Sequence, residues 1–260
     1  MFSPSDKQLI PVIMAGGMGR RMNSNIPKVL HKIAEEPMLV RIIKTVIQIK
    51  PPKILIIVGK YRDIIKDELE KHIPKIMSTI VLIDQLEPQG TGHALQCALH
   101  EMNKFYYTNF IVLSGDVPLI SLDMINNIYE QSNNHAVITT THMENPLGYG
   151  RIIIKNNKFE KIVEEKDCST SEKQIKLVNC GLYMFSDEVL REYLPQLTNN
   201  NAQREYYLTD IFKMMIENGS YLIKTMNIQE DDQYKLQGVN TSEQLEQLTI
   251  TYLEKRNITV

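Results

Sequence analysis

The sequence has no tryptophan and only three cysteines, Cys97, Cys168 and Cys180, in 260 residues. An odd number with no CxxC pair gives neither a disulfide framework nor a zinc site, and it fits a reducing, cytoplasmic setting. Excess charge is missing too. The 29 basic residues stand against 31 acidic ones, a net charge of -2, so no global basic field draws nucleic acid or an anionic membrane. An anionic ligand must therefore be held by a local set of donors, cations or metal.

Long hydrophobic runs are absent as well. The apolar stretch at 9–15 contains Pro11, follows Asp6 and runs into glycines, so it reads as a strand rather than a signal peptide. No run approaches the roughly 18 apolar residues of a membrane span. The Asn-x-Ser/Thr sequons at Asn218, Asn240 and Asn257 are then read as coincidences. The histidines form no HxxxH or HxH pair, and His31 and His93 are read as structural. Neither a P-loop nor a GxGxxG fingerprint is present.

What is there is an alternation. Strand-like runs at 11–15, 54–58, 79–83 and 110–113 are separated by helical patterns at 38–50, 62–72 and 92–103. This predicts βαβ units and an α/β fold with a mostly parallel, Rossmann-like sheet flanked by helices, whose ligands bind at the carboxyl ends of the strands. After about residue 135 the texture becomes β-rich, with segments 135–142, 149–165 (an Asn156-Asn157 turn inside) and 175–185, and this part is expected to pack on the first sheet as a lid or subdomain. Helices are expected at 187–194, 204–217 and 241–254, with a strand at 221–227. The reading is of one domain: about 9–134 binding nucleotide, about 135–240 binding sugar, and a C-terminal helix over 241–260.

The glycine run Ala15-Gly16-Gly17-Met18-Gly19 ends the first strand and can turn tightly while exposing amide hydrogens to phosphate oxygens. Arg20, Arg21 and Lys28 add local positive charge, and Pro27 fixes the backbone just before Lys28. A solvated βα turn explains the loop alone equally well. Gln85 follows a strand and precedes "PQGTGHA". Its amide suits the imide edge of uracil, with Gly90 allowing close approach, although Thr91 also reads as a helix start. Asp116 stands at the carboxyl end of "NFIVLSGD", where a carboxylate can hold Mg²⁺ or merely cap a turn. Asn240 precedes Thr241 and Gln244, which have capping-box spacing.

These pieces in this order, "AGGMGRRM", "IPKVLHKIAEEPML", "QGTGHALQ", "GDVPLIS", "GYGRI", "IVEEKD" and "TNNNAQREYYLTDI", resemble the sugar-phosphate nucleotidyltransferases, and more narrowly the uridyltransferase domain of the bacterial GlmU family. The resemblance runs from about residue 9 to about 250. It implies the nucleotide-diphospho-sugar transferase fold and a UDP-N-acetylglucosamine diphosphorylase, joining UTP to N-acetylglucosamine 1-phosphate with release of pyrophosphate. Another sugar or base, or a non-catalytic regulatory subunit that only binds a nucleotide sugar, are the alternatives.

In that family's pattern Arg21, Lys28 and Asp116 would be catalytic, and Asp116 with Asn240 would hold Mg²⁺. Met14, Ala15, Gly16, Gly17, Lys28, Gln85, Gly90, Thr91, Ser114 and Gly115 would face the nucleotide. Gly150, Glu164 and Asn179 would make a sugar pocket. The segment "NNNAQREYYLTD" is expected to start a helix bearing Glu205, Tyr206 and Tyr207. The chain departs from the family at Ser114 (usually Tyr), Gly16 (usually Ala) and Cys180 (usually Thr). It shows no hexapeptide repeats, so it is expected to lack the acetyltransferase domain that trimerises GlmU, to need an already acetylated sugar phosphate, and to be a monomer or small homo-oligomer.

Overall fold

The computed structural model describes residues 7–256 apart from 18, 23 and 25, and all but the side chain of Arg20 within 19–22. Met18, the Arg20 side chain and the sequon at Asn257 therefore lie outside the described residues.

The elements run β1 (Gln8–Met14), β2 (Lys32–Ile33), β3 (Glu36–Pro37), α1 (Met38–Val46), β4 (Ile54–Val58), α2 (Arg62–His72), β5 (Ile80–Asp84), α3 (Thr91–Met102), β6 (Thr108–Ser114) and α4 (Leu122–Tyr129). Then follow β7 (Ala136–His142), β8 (Arg151–Lys155), β9 (Lys158–Val163), β10 (Leu177–Ser186), α5 (Asp187–Tyr193), α6 (Asp210–Asn218), β11 (Ile223–Asn227) and α7 (Ser242–Lys255). β5, β4, β1 and β6 lie side by side and parallel. Every residue of β4 is buried. Ile54, Ile56 and Val58 enter one apolar cluster while Leu55 and Ile57 enter another, so helices cover both faces of the sheet.

The chain leaves β1 for β4 on one side and later returns to β6 on the other, which makes the β1/β6 boundary a topological switch point. Loops diverge there and leave a crevice at the strands' carboxyl ends. Gly115 N–H donates to the Met14 carbonyl at 2.9 Å, stitching the two loops together. A Cβ on Gly115 would stand 2.8 Å from that carbonyl, so only glycine fits.

The β-rich part, expected to pack on the first sheet as a lid or subdomain, instead continues that sheet. β10 pairs antiparallel with β6, β7 pairs with β10, and β11 pairs parallel with β7, so these strands extend the same sheet edge-on. The β8–β9 hairpin joins this sheet through β8 on β10, off the main strand order, turning through Asn156 and Asn157, both at positive φ as a two-residue primed turn needs. Two helix expectations also change. α4, unforeseen, begins at Ser121, whose hydroxyl accepts from Met124 N–H. The helix expected over 204–217 starts only at Asp210. Before it, Asn201 Oδ1 accepts from the N–H of Gln203 and Glu205, and Tyr206 is tied to Gln89 and Gly92 by backbone bonds, which holds 204–207 out of helical conformation.

Candidate active site

The crevice at the switch point is a cavity of about 250 Å³ whose walls are Met14, Gly16, Gly17, Lys28, Gln85, Gly90, Thr91, Ser114 and Asp116 among others. The residues expected to face the nucleotide are thus brought together except two: Ala15 is buried behind the wall with its N–H on Ile57, and Gly115 does not line the cavity, its N–H being on the Met14 carbonyl. Among the described residues nothing accepts from the N–H of Gly16 or Gly17, so these two donors line the cavity free. Gly19, at φ +56, packs on Lys28, where a Cβ would come within 2.7 Å of the lysine Cβ.

Beside Gly19 and Lys28 five side chains converge. Lys28 Nζ donates to Asp116 Oδ2 in a half-buried ion pair, and to Asn240 Oδ1 at 3.2 Å. Arg21 Nη2 donates to the same Asn240 oxygen at 3.2 Å. Ser114 Oγ donates to Asp116 Oδ1 at 2.6 Å and so orients the carboxylate. The capping box of α7 is formed by Thr241 and Gln244, which leaves the Asn240 side chain free to face Asp116. Two hard oxygens thus converge on one cation, here an ammonium. That donor set fits a divalent ion completed by substrate phosphates. Among the described residues no cluster of three or more His, Cys, Asp or Glu could hold a metal unaided.

At the other end Gln85, buried, donates from Nε2 to the Gly90 carbonyl at 3.2 Å and lies 3.1 Å from His93 Nδ1. Gly90 has φ +106 and its place for a Cβ is 2.6 Å from the Tyr206 carbonyl, so the 205–206 segment sits directly on it. Thr91 opens α3 but does not cap it. Its hydroxyl accepts from Leu208 N–H at 3.1 Å and ties α3 to that segment.

Gly150, Glu164 and Asn179 also meet: Asn179 N–H donates to the Gly150 carbonyl, and a Cβ on Gly150 would lie 3.4 Å from Glu164 Oε2. Thr209 Oγ1 donates to Glu164 Oε1 at 2.9 Å, leaving Oε2 toward Gly150. Burial holds the Glu164 carboxyl above the ordinary carboxylate range, opposed by Thr209 and reinforced by Asp210, Asp167 and Glu205. Asn179 is more occupied than expected. Its Nδ2 donates to Tyr183 Oη at 2.5 Å and its Oδ1 accepts from Gly181 N–H at 3.1 Å, bracing a bulge in β10, so one amide hydrogen and one lone pair remain. Burial pushes the Cys180 thiol up to about 12, which makes it inert.

Thr209 and Tyr149 escaped the sequence reading, which took His93 as structural and Glu205 as a helix residue only. Tyr149 has its phenol pushed up by burial and by nearby Cys180 and Asp116. It lies inside "GYGRI", where attention fell on the glycine.

A family model for nucleotidyl transferases matches residues 10–232. The chain belongs to that family. A protein of Acanthamoeba polyphaga mimivirus named "Probable UDP-N-acetylglucosamine pyrophosphorylase" is 42% identical over 243 residues, 92% of this nucleotidyl transferase and 94% of the viral protein. The "Bifunctional protein GlmU" of Acinetobacter baumannii (strain AYE) is 38% identical over 235 residues, 90% of this chain but 49% of GlmU, so the nucleotidyl transferase spans about half of that relative. In three dimensions it resembles a UDP-glucose pyrophosphorylase solved with UDP-glucose, at TM-score 0.71 and 17% identity, covering 96% of this chain and 100% of the other. That likeness establishes the shared fold. No helix among the described residues is long and apolar enough to cross a membrane.

Proposed function

We propose that this nucleotidyl transferase is a UDP-N-acetylglucosamine pyrophosphorylase, converting UTP and N-acetylglucosamine 1-phosphate to UDP-N-acetylglucosamine and pyrophosphate. The observation that carries it is the convergence of Lys28, Arg21, Asp116 and Asn240 at a single point, with the glycine loop and Gln85 at one end of the crevice and Gly150, Glu164 and Asn179 gathered beyond it. The named relatives supply the substrates.

Asp116 and Asn240 would hold the divalent ion, Mg²⁺ in this reading, which when bound neutralises charge between the two phosphates. An oxygen of the sugar phosphate attacks the α-phosphorus of UTP in line, and the bond from that phosphorus to the bridging oxygen breaks, with its electrons leaving on pyrophosphate. The attacking group is already ionised, so no side chain needs to remove a proton. What the chain supplies is position and charge. Free N–H groups of Gly16 and Gly17 hold phosphate oxygens, Arg21 and Lys28 meet the charge growing on pyrophosphate, and Glu164 Oε2 accepts from a sugar hydroxyl. Lys28 Nζ now occupies the two oxygens that would hold the ion, so with the ion bound its charge would be available to the phosphates.

Pyrophosphate release, measured with Mg²⁺, each nucleoside triphosphate and a panel of sugar 1-phosphates, tests the reading. UTP with N-acetylglucosamine 1-phosphate is expected to be fastest. A faster reaction with another sugar or base overturns the assigned substrates, and no release with any pair overturns catalysis.

A further inference from the structure

The contacts of Gln85 carry an inference about which base the crevice accepts. The Gly90 carbonyl can only accept a hydrogen bond, so the Gln85 atom 3.2 Å from it is the amide nitrogen. The same nitrogen lies 3.1 Å from His93 Nδ1. With one hydrogen directed at Gly90, the other can be received only if Nδ1 presents a lone pair. The imidazole is then neutral with its hydrogen on Nε2, and Nε2 does face a weak acceptor, Cys97 Sγ, at 3.8 Å. Backbone bonding fixes the rest: Gln85 N–H donates to the Val58 carbonyl at 2.7 Å. With both amide hydrogens taken, Oε1 is the group left toward the cavity, beside Gly16, where a Cβ would be 3.1 Å from it.

We propose that His93 is a positioning residue for base selection: its Nδ1 lone pair locks the Gln85 amide with the oxygen facing the base, so that a pyrimidine with an N3–H is accepted and one with a bare N3 is refused. Uracil offers N3–H as a donor to Oε1. Cytosine offers N3 as an acceptor, and two acceptors would face each other without a proton. An overturned amide would read the two bases the other way, and it is prevented by Gly90 and His93 together. This inference rests on the proposal that the Gln85 end of the crevice receives uridine.

The experiment compares UTP and CTP as substrates for wild type, His93→Leu and His93→Asn. Leucine fills a similar space without a lone pair. Asparagine places Oδ1 close to where Nδ1 stands and can receive the same hydrogen. His93→Leu is expected to lower the UTP/CTP ratio of kcat/KM about tenfold, the loss of one hydrogen bond that is made only with one orientation. The change should fall on KM for UTP, with kcat at saturation within about twofold, because His93 touches none of the phosphate-binding groups. His93→Asn should restore the ratio to within about threefold of wild type. A ratio of two substrates in one preparation is insensitive to the fraction of protein that is folded. If His93→Leu keeps the wild-type ratio, or His93→Asn loses it as fully as leucine does, the positioning role is overturned while the pocket assignment stands. A wild-type enzyme that does not prefer UTP overturns the pocket assignment itself.

Discussion

At the end of the crevice proposed for the base, Gln85 has both amide hydrogens taken by the protein and, among the described residues, one oxygen without a partner. At the end proposed for the phosphates, Asp116 and Asn240 present oxygens already covered by Lys28, Arg21 and Ser114. The difference follows from what each end must do. A neutral base is recognised by a fixed pattern of donors and acceptors, so the orientation has to be set before the ligand arrives. Oxygens gathered for a cation repel one another when empty, and here the Lys28 ammonium holds the two together; on the proposed reading a divalent ion would take its place. Substitutions at the first end should therefore act on KM and selectivity, and those at the second on kcat.

The largest effect tests the phosphate end. Asp116→Ala removes the only carboxylate of the converging set and leaves Lys28 and Arg21 facing Asn240 without a counter-ion. Steady-state assays should show kcat down by about 1,000-fold or more, with KM for UTP changed far less. Since Asp116 lies at the end of a strand rather than in the core, the thermal transition should persist. Near-normal kcat in Asp116→Ala would break the contrast at its root.

Lys28→Met comes next. It should lower kcat by about 100-fold, the loss of one charged donor to the transition state. It should also make Mn²⁺ bind more tightly in the absence of nucleotide, because the ammonium no longer competes for Asp116 and Asn240. Calorimetric titration of wild type and variant measures this directly. Weaker Mn²⁺ binding in the variant would mean that Lys28 and the ion do not share those oxygens.

How far all this could be read from the chain depends on how local each feature is. β4 is legible because its short run of apolar, largely β-branched residues favours an interior strand, and the Asn156-Asn157 turn because both residues tolerate positive φ. α4 was hidden by its length of 8 residues and by Asn126-Asn127, which imitate turn chemistry. The false helix start at 204 failed because Asn201 and Gly90, far apart in sequence, together fix the backbone there. Likewise the site's residue types were visible in motifs, but the partners of Lys28 are 88 and 212 residues away. His93 was read as structural because only the folded chain shows what its Nδ1 faces.

The sugar end offers a smaller and different test. Glu164→Gln preserves an oxygen to accept from Thr209 but removes the charge, and KM for the sugar phosphate should rise about tenfold. Stability should move the opposite way. Burial holds this carboxyl above the ordinary 4.5, so the native protein binds its proton more tightly than the unfolded chain does. That contribution is full below pH 4.5 and is lost as pH rises through the folded-state value. Thermal melts should therefore show the variant gaining on wild type at pH 7.5 and losing that advantage near pH 4. A gain that is independent of pH would assign the effect to something other than this ionisation.

The smallest expected effect probes the base end without touching Gln85. On Gly16→Ala the new methyl would meet Gln85 Oε1 at 3.1 Å and the Gly59 nitrogen at 3.4 Å. The first distance demands a shift of a few tenths of an ångström. An amide held by two hydrogen bonds yields by sliding rather than by rotating, so Oε1 moves while still facing the base. KM for UTP should then rise about threefold at most, with kcat unchanged and the UTP/CTP ratio preserved. The same substitution in a His93→Leu background removes one of the two restraints, and the methyl can then turn the amide instead of displacing it. Kinetics of the double variant should show a further fall in the UTP/CTP ratio beyond that of His93→Leu alone, a coupling that two independent sites would not give.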